Sequence, residues 1–138
     1  MKKPFMVAGS IPASGTLTQP GDIPLVRART LSVTVRLKFH ASATKNATVY
    51  LYYSPDGSNW DTIPYTSFDL TLSAGEYVQR TVPIDVPEHG YIKVAVANND
   101  TSYAISDVKA WYTIQSWGKE PARGVITRDV FIEEEKGE

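Results

Sequence analysis

The chain has 138 residues, of which 42% are hydrophobic and 21% charged, with a formal net charge of −1 at pH 7 and no cysteine. A chain of this size and composition fits one globular domain, and the missing cysteines exclude disulfides, thiolate metal sites and cysteine nucleophiles. The near-neutral balance gives no basis for non-specific nucleic-acid binding.

Residues 1 to 29 are rich in Pro, Gly, Ser and Thr with scattered apolar residues, as expected of an extended arm or of short edge strands. Lys2, Lys3 and the run FMVAG imitate a signal peptide briefly. Pro4, Gly9, Ser10 and Pro12 interrupt that run before a signal's apolar region is complete, so the segment is read as mature sequence. No stretch approaches the length of a transmembrane helix, and no membrane partner is expected.

From residue 30 to 117 the apolar period is two almost throughout. Leu31, Val33, Val35, Leu37 and Phe39 alternate with Ser32, Thr34, Arg36, Lys38 and His40, a strand with one dry and one wet face. Next, Val49, Leu51 and Tyr53 share one face and Thr48, Tyr50 and Tyr52 the other. Phe68, Leu70 and Leu72 then fall together, followed by Val78, Val82, Ile84 and Val86, with Arg80 breaking the pattern. Ile92, Val94 and Val96 form another apolar face, and in the last long run Ala104, Val108, Ala110, Tyr112 and Ile114 are expected to face one way. The turn-forming stretches TKNA, PDGSN, SAGE, PEHG and NNDT separate these runs. Pro83 calls for an edge position or a bulge, since proline cannot donate to a ladder. No stretch carries helical periodicity behind an N-cap. The expected fold is therefore all-β: an antiparallel β-sandwich, jelly-roll or Ig-like, with extended N- and C-terminal arms.

Residues 118 to 138, GKEPARGVITRDVFIEEEKGE, begin with Gly118 and Pro121 and become acidic. The final residues read as solvated. Within them GVITRDVFI has strand alternation and reads as an assembly arm, with Val125, Ile126, Val130, Phe131 and Ile132 available to a neighbouring subunit's sheet edge.

Candidate chemistry is sparse. In VYLYYSPDGSNWDT, Pro55, Asp56 and Gly57 make a hairpin turn. Trp60 then has two readings: a core plug beside an Asx turn, or part of an aromatic platform with Tyr50 and Tyr52 for a sugar or a protein partner. Trp111 is a fourth contact candidate, with core closure as its other reading, and Trp117 shares that ambiguity. Asp56, Asp61, Asp69, Asp85, Asn98, Asn99 and Asp100 are calcium-type oxygen ligands, but no contiguous D-x-D-x-D-G loop joins them, so no metal or cofactor is expected. His40 and His89 lie in no nucleophile motif, and no G-x-S-x-G, H-E-x-x-H or P-loop occurs, so no enzyme activity is expected. Asn46 and Asn99 match the glycosylation pattern without a secretion signal to support it.

Ser54, Asp56, Gly57 and Trp60 in YYSPDGSNWDT, with Tyr91, Ile92 and Lys93 in the later strand, resemble small β-sandwich structural proteins of tailed bacteriophages and related viruses. The likeness covers roughly residues 14 to 115. A weaker likeness runs to discoidin-like and carbohydrate-binding jelly rolls, from which the chain departs by lacking bridging cysteines and a clear secretion signal. The viral resemblance implies a non-enzymatic capsid decoration or tail accessory protein. It would reside in the virion after synthesis in the host cytoplasm, with other virion proteins and itself as partners. The weaker one implies a glycan ligand or adhesion role and an extracellular location.

Overall fold

The computed structural model describes residues 3–18 and 22–117, with side chains from residue 9 onward. Nine strands lie among these residues: β1 (Lys3–Ile11), β2 (Thr16–Thr18), β3 (Ile23–Val26), β4 (Ala28–Lys38), β5 (Ala47–Ser54), β6 (Thr66–Leu70), β7 (Tyr77–Asp85), β8 (His89–Asn98) and β9 (Ile105–Ser116). No helix occurs among the described residues. The expected antiparallel sandwich is the fold of the chain.

Sheet A has the order β1-β9-β4-β7, and sheet B the order β2-β8-β5-β6 with β3 also on β8. β5 occupies one side of β8 along its length, so β2 and β3 share the other side, against residues 95–97 and 89–92 respectively. They act as one interrupted edge strand. Counting them so, each sheet has four strands and successive strands cross between sheets, apart from the β5-β6 hairpin within sheet B, in jelly-roll order, not the Ig-like one. β1, β2 and β3 thus lie at sheet edges, and Ile11, Ile23 and Leu25 are buried in the common core.

Alternation builds that core. Leu31, Val33, Val35 and Leu37 of β4 meet Val49 and Leu51 of β5 and Ile92, Val94 and Val96 of β8, all 0% exposed. Each large apolar side chain so buried contributes about 1.5–3 kcal/mol relative to exposure.

Two strands depart from simple alternation. In β9, Arg36 pairs with Lys109 but Lys38 with Ser106, so three steps on β9 oppose two on β4. Asp107 sits in this bulge with φ 52°. The extra residue shifts the phase: Ile105 and Val108 are both buried, while Ala104, expected inside, is exposed. In β7, Val86 N donates to Arg29 O and Phe39 N to Glu76 O, which points the even-numbered backbone groups at β4. Pro83 therefore faces the open edge of sheet A and removes no ladder bond. Arg80 is the misfit of β7 for a reason: its guanidinium donates to Asp69 O (2.8 Å) and lies 5.6 Å from the Phe68 ring, linking the β7 and β6 edges. Tyr65 Oη caps the β7 edge carbonyl of Asp85 at 2.7 Å.

Candidate functional site

Because Val49 and Leu51 point inward, Tyr50 and Tyr52 must stand on the outer face of sheet B, where both are half-buried. Register decides their company. Tyr50 lies between Ser67 of β6 and Ala95 of β8; Tyr52 lies opposite Lys93, and Ser54 opposite Tyr91. Ala95 is 5% exposed yet outside the core, on the floor of the outer face between Tyr50 and Thr18. Beyond Tyr50, Asn99 Nδ2 donates to Thr48 Oγ1 (2.9 Å), which donates to Asp69 Oδ1 (2.8 Å), forming a polar rim.

The turn after β5 carries Trp60 to this face. Ser54 is fully buried, and its Oγ accepts from Gly57 N at 2.8 Å and donates to Asp56 Oδ1 at 3.1 Å. Asp56 in turn accepts from Asn59 N, Ser58 N and Asn59 Nδ2 at 2.8, 2.9 and 2.7 Å. The Asn59 N–H, then the Ser58 N–H and the Asn59 amide, hold the Asp56 carboxyl well below the usual carboxylate range. Gly57 has φ +81°, and a Cβ there would lie 3.3 Å from the Tyr91 ring. Asp61 N then donates to Tyr53 O, which returns the chain alongside β5. The Trp60 ring ends with Lys93 Nζ 4.6 Å from its centroid. Trp60 is half-buried and is absent from the core cluster, so it is a surface aromatic fixed in place and not a core plug.

Tyr50, Tyr52 and Trp60 thus share one face, joined by Tyr91 and Lys93, which the sequence reading had not placed there. Their positions follow from cross-strand register, and no local pattern in the sequence marks it. Trp111 is separate. It lies on the outer face of sheet A opposite Thr34, across a sandwich whose sheets pack about 10 Å apart. Trp117 is 49% exposed at the end of β9, beneath the Arg29 guanidinium. The proposed arm residues Val125, Ile126, Val130, Phe131 and Ile132 lie outside the described residues.

The face can stack flat rings and donate hydrogen bonds. His40 Nδ1 accepts from Ser42 N and its ring stacks on Tyr103, while His89, exposed at the start of β8, lies 3.9 Å from Glu88. Among the described residues no group of three or more His, Asp or Glu side chains is placed to hold a metal ion. Of the oxygen donors noted in the sequence, Asp100 is instead a buried strut: it accepts from Thr44 N, Thr44 Oγ1, Ser102 N and Tyr103 N.

No family model and no curated protein matches the chain. Among solved structures it is similar to the PBSX exported protein XepA, with 12% identity and a TM-score of 0.55 over 96% of this chain and 43% of that one. The chain therefore spans less than half of XepA. It is also similar to a family 16 carbohydrate-binding module-2 (16% identity, TM-score 0.48, 77% of this chain and 72% of that one). Another similar structure is a cowpea mosaic virus top-component particle protein (12% identity, TM-score 0.48, 95% and 93%). At these identities the likeness to XepA is one of fold, a two-sheet β-sandwich, and the two weaker matches add nothing to it.

Proposed function

We propose that the chain is a non-enzymatic virion structural protein, a capsid decoration or tail accessory subunit that binds neighbours through its sandwich surface and terminal segments. The observation that carries the reading is the jelly roll itself, an architecture used by viral capsid domains and lectins. Its buried polar groups serve turns and struts: Ser54 and Asp100 are spent on backbone N–H groups. The resemblance of the SPDGSNW turn to phage structural proteins points the same way. Purified chain and a variant lacking residues 119–138 should be compared for occupancy on particles. The truncated protein should fold and show reduced occupancy; equal occupancy would remove the arm from the proposal.

A second reading has its own observation. Tyr50, Tyr52 and Trp60 share a face with one half-buried lysine, Lys93, and a polar rim, which suits a sugar ring stacked on aromatics. This is the adhesion or carbohydrate-binding alternative, with an extracellular site of action. A glycan array on the full chain tests it: binding lost in Tyr52→Ala supports it, and no binding across the array counts against it.

A further inference from the structure

The outer face of sheet A carries an unbalanced charge cluster at the end where β4 finishes and β9 begins. Arg36 and Lys109 are direct cross-strand partners, a like-charge pairing that is destabilising in isolation. Lys38 lies beside them, with its Nζ 5.4 Å from the Tyr77 ring, over which the Arg36 guanidinium also sits at 4.1 Å. The one carboxylate in the group, Asp107, is turned to the Tyr77 hydroxyl at 2.6 Å. Among the described residues no carboxylate lies within ion-pair distance of Arg36, Lys38 or Lys109. Two residues further along β9, on the same face, stands half-buried Trp111.

We propose that this face docks residues 131–135 of the chain itself, with Phe131 on Trp111 and the acidic run Glu133–Glu135 on Arg36, Lys109 and Lys38. Three features argue for this occupant. Charge is complementary: Glu133, Glu134 and Glu135 are consecutive, and the receiving surface presents three cations. Spacing matches: an extended segment antiparallel to β9 that sets Glu133 against Lys109 sets Phe131 against Trp111, since both pairs are two residues apart. Reach suffices: Trp117 is fixed by its N–H to Arg27 O, roughly 27 Å along β9 from Lys109. The intervening residues 118–132 span up to about 50 Å when extended. The docking concerns the chain's own contacts and does not depend on the virion reading; it names the surface an assembly arm would use.

Zero-length carbodiimide coupling of the full chain, with peptides mapped by mass spectrometry, tests the docking. Lys109 and Lys38 should couple to Glu133–Glu135 in preference to exposed Lys45, and coupling should fall about tenfold from low salt to 0.5 M salt. Lys109→Glu, at an exposed position that leaves the fold intact by circular dichroism, should reduce coupling of the remaining Lys38 to a similar degree. Mixed isotope-labelled copies show whether the docking closes within one molecule or joins two; coupling within one molecule supports it, and coupling found only between copies would overturn it. Coupling no greater than at Lys45, or unchanged by salt and by Lys109→Glu, would overturn it. Loss of particle occupancy without such coupling would leave the assembly reading standing and remove this one.

Discussion

Gly90 and Tyr53 occupy one another's space. A Cβ on Gly90 would fall 2.6 Å from Tyr53 Cε1 and 2.7 Å from Cζ, and Gly90 adopts φ +119°. The ring cannot retreat freely, because Tyr53 Oη donates to His89 O at 2.7 Å. Gly90→Ala should therefore combine a strained backbone with a clash and destabilise the chain by about 3 kcal/mol. Tyr53→Phe, which loses only the hydroxyl bond, should cost about 1 kcal/mol. Urea unfolding midpoints check both; a Gly90→Ala midpoint equal to that of Tyr53→Phe would refute the fit.

Asp100 is one source of the acid sensitivity expected of the fold, alongside Asp56. The N–H groups of Thr44 and Ser102, then that of Tyr103 and the Thr44 hydroxyl, favour its ionised form and lower its pKa from the ordinary 3.8, against the opposing effect of burial. An acid whose pKa is depressed on folding contributes stability that is fully present above its unfolded value. That stability is lost as pH falls through the folded value. Wild-type stability should accordingly hold from pH 7 to about 4 and then decline. Asp100→Asn should lower the melting temperature at pH 7 by about 10 °C and show a shallower decline below pH 4. Asp56, lowered in the same direction by the Asn59 and Ser58 N–H groups, leaves some acid dependence in the variant. Thermal melts of both proteins across pH 2 to 7 decide it; parallel curves would show that Asp100 contributes nothing to the acid sensitivity.

What could be read without coordinates was whatever one strand carries alone. Alternation in Leu31 to Phe39 or Val49 to Tyr53 determines which side chains face the core, since only one face of each strand is dry. It cannot say what lies across from them. Lys93 stands beside Tyr52 because β5 and β8 pair in one register, and residues 41 apart in sequence carry no mark of it. Trp111 falls on sheet A, away from the tyrosines, for the same reason. The bulge at Asp107 reversed the phase upstream of Val108 and exposed Ala104, because a single left-handed residue has no periodic signature. Arg80 looked like an error in its strand until its partner on β6 was known.

The two faces of β5 should respond differently to truncation. Leu51 is fully buried between the sheets, so Leu51→Ala should cost about 2–5 kcal/mol. Tyr52→Ala removes a half-buried ring from the outer face and should cost about 1 kcal/mol. If the face binds sugars, Tyr52→Ala and Trp60→Ala should each weaken binding about tenfold at near-wild-type stability. Chemical denaturation alongside glycan titration separates the effects. Equal destabilisation by Leu51→Ala and Tyr52→Ala would mean that the outer tyrosines are structural.

Tyr77 and Asp107 offer a spectroscopic test of the sheet A cluster. The Tyr77 hydroxyl donates to Asp107 Oδ2, and that bond, with smaller effects of burial and the Asp107 charge, raises the phenol above its ordinary 10.0; Arg36 opposes the shift. The neutral phenol is thus favoured by folding, so its contribution to stability is complete below pH 10 and is lost as pH rises through the folded value. The chain has eight tyrosines, so Tyr77 must be isolated by subtracting the alkaline absorbance titration of Tyr77→Phe from that of the wild type. The difference should titrate above pH 10. Asp107→Asn keeps a residue type that tolerates the left-handed φ of 52° while removing the charge, so the bulge should persist and the Tyr77 titration should move down toward 10. Asp107→Ala should destabilise the chain more than Asp107→Asn, because it adds backbone strain to the lost acceptor. A Tyr77 titration unmoved by Asp107→Asn would break the link between the bulge and the ring, and with it the reason for a left-handed aspartate at this point in β9.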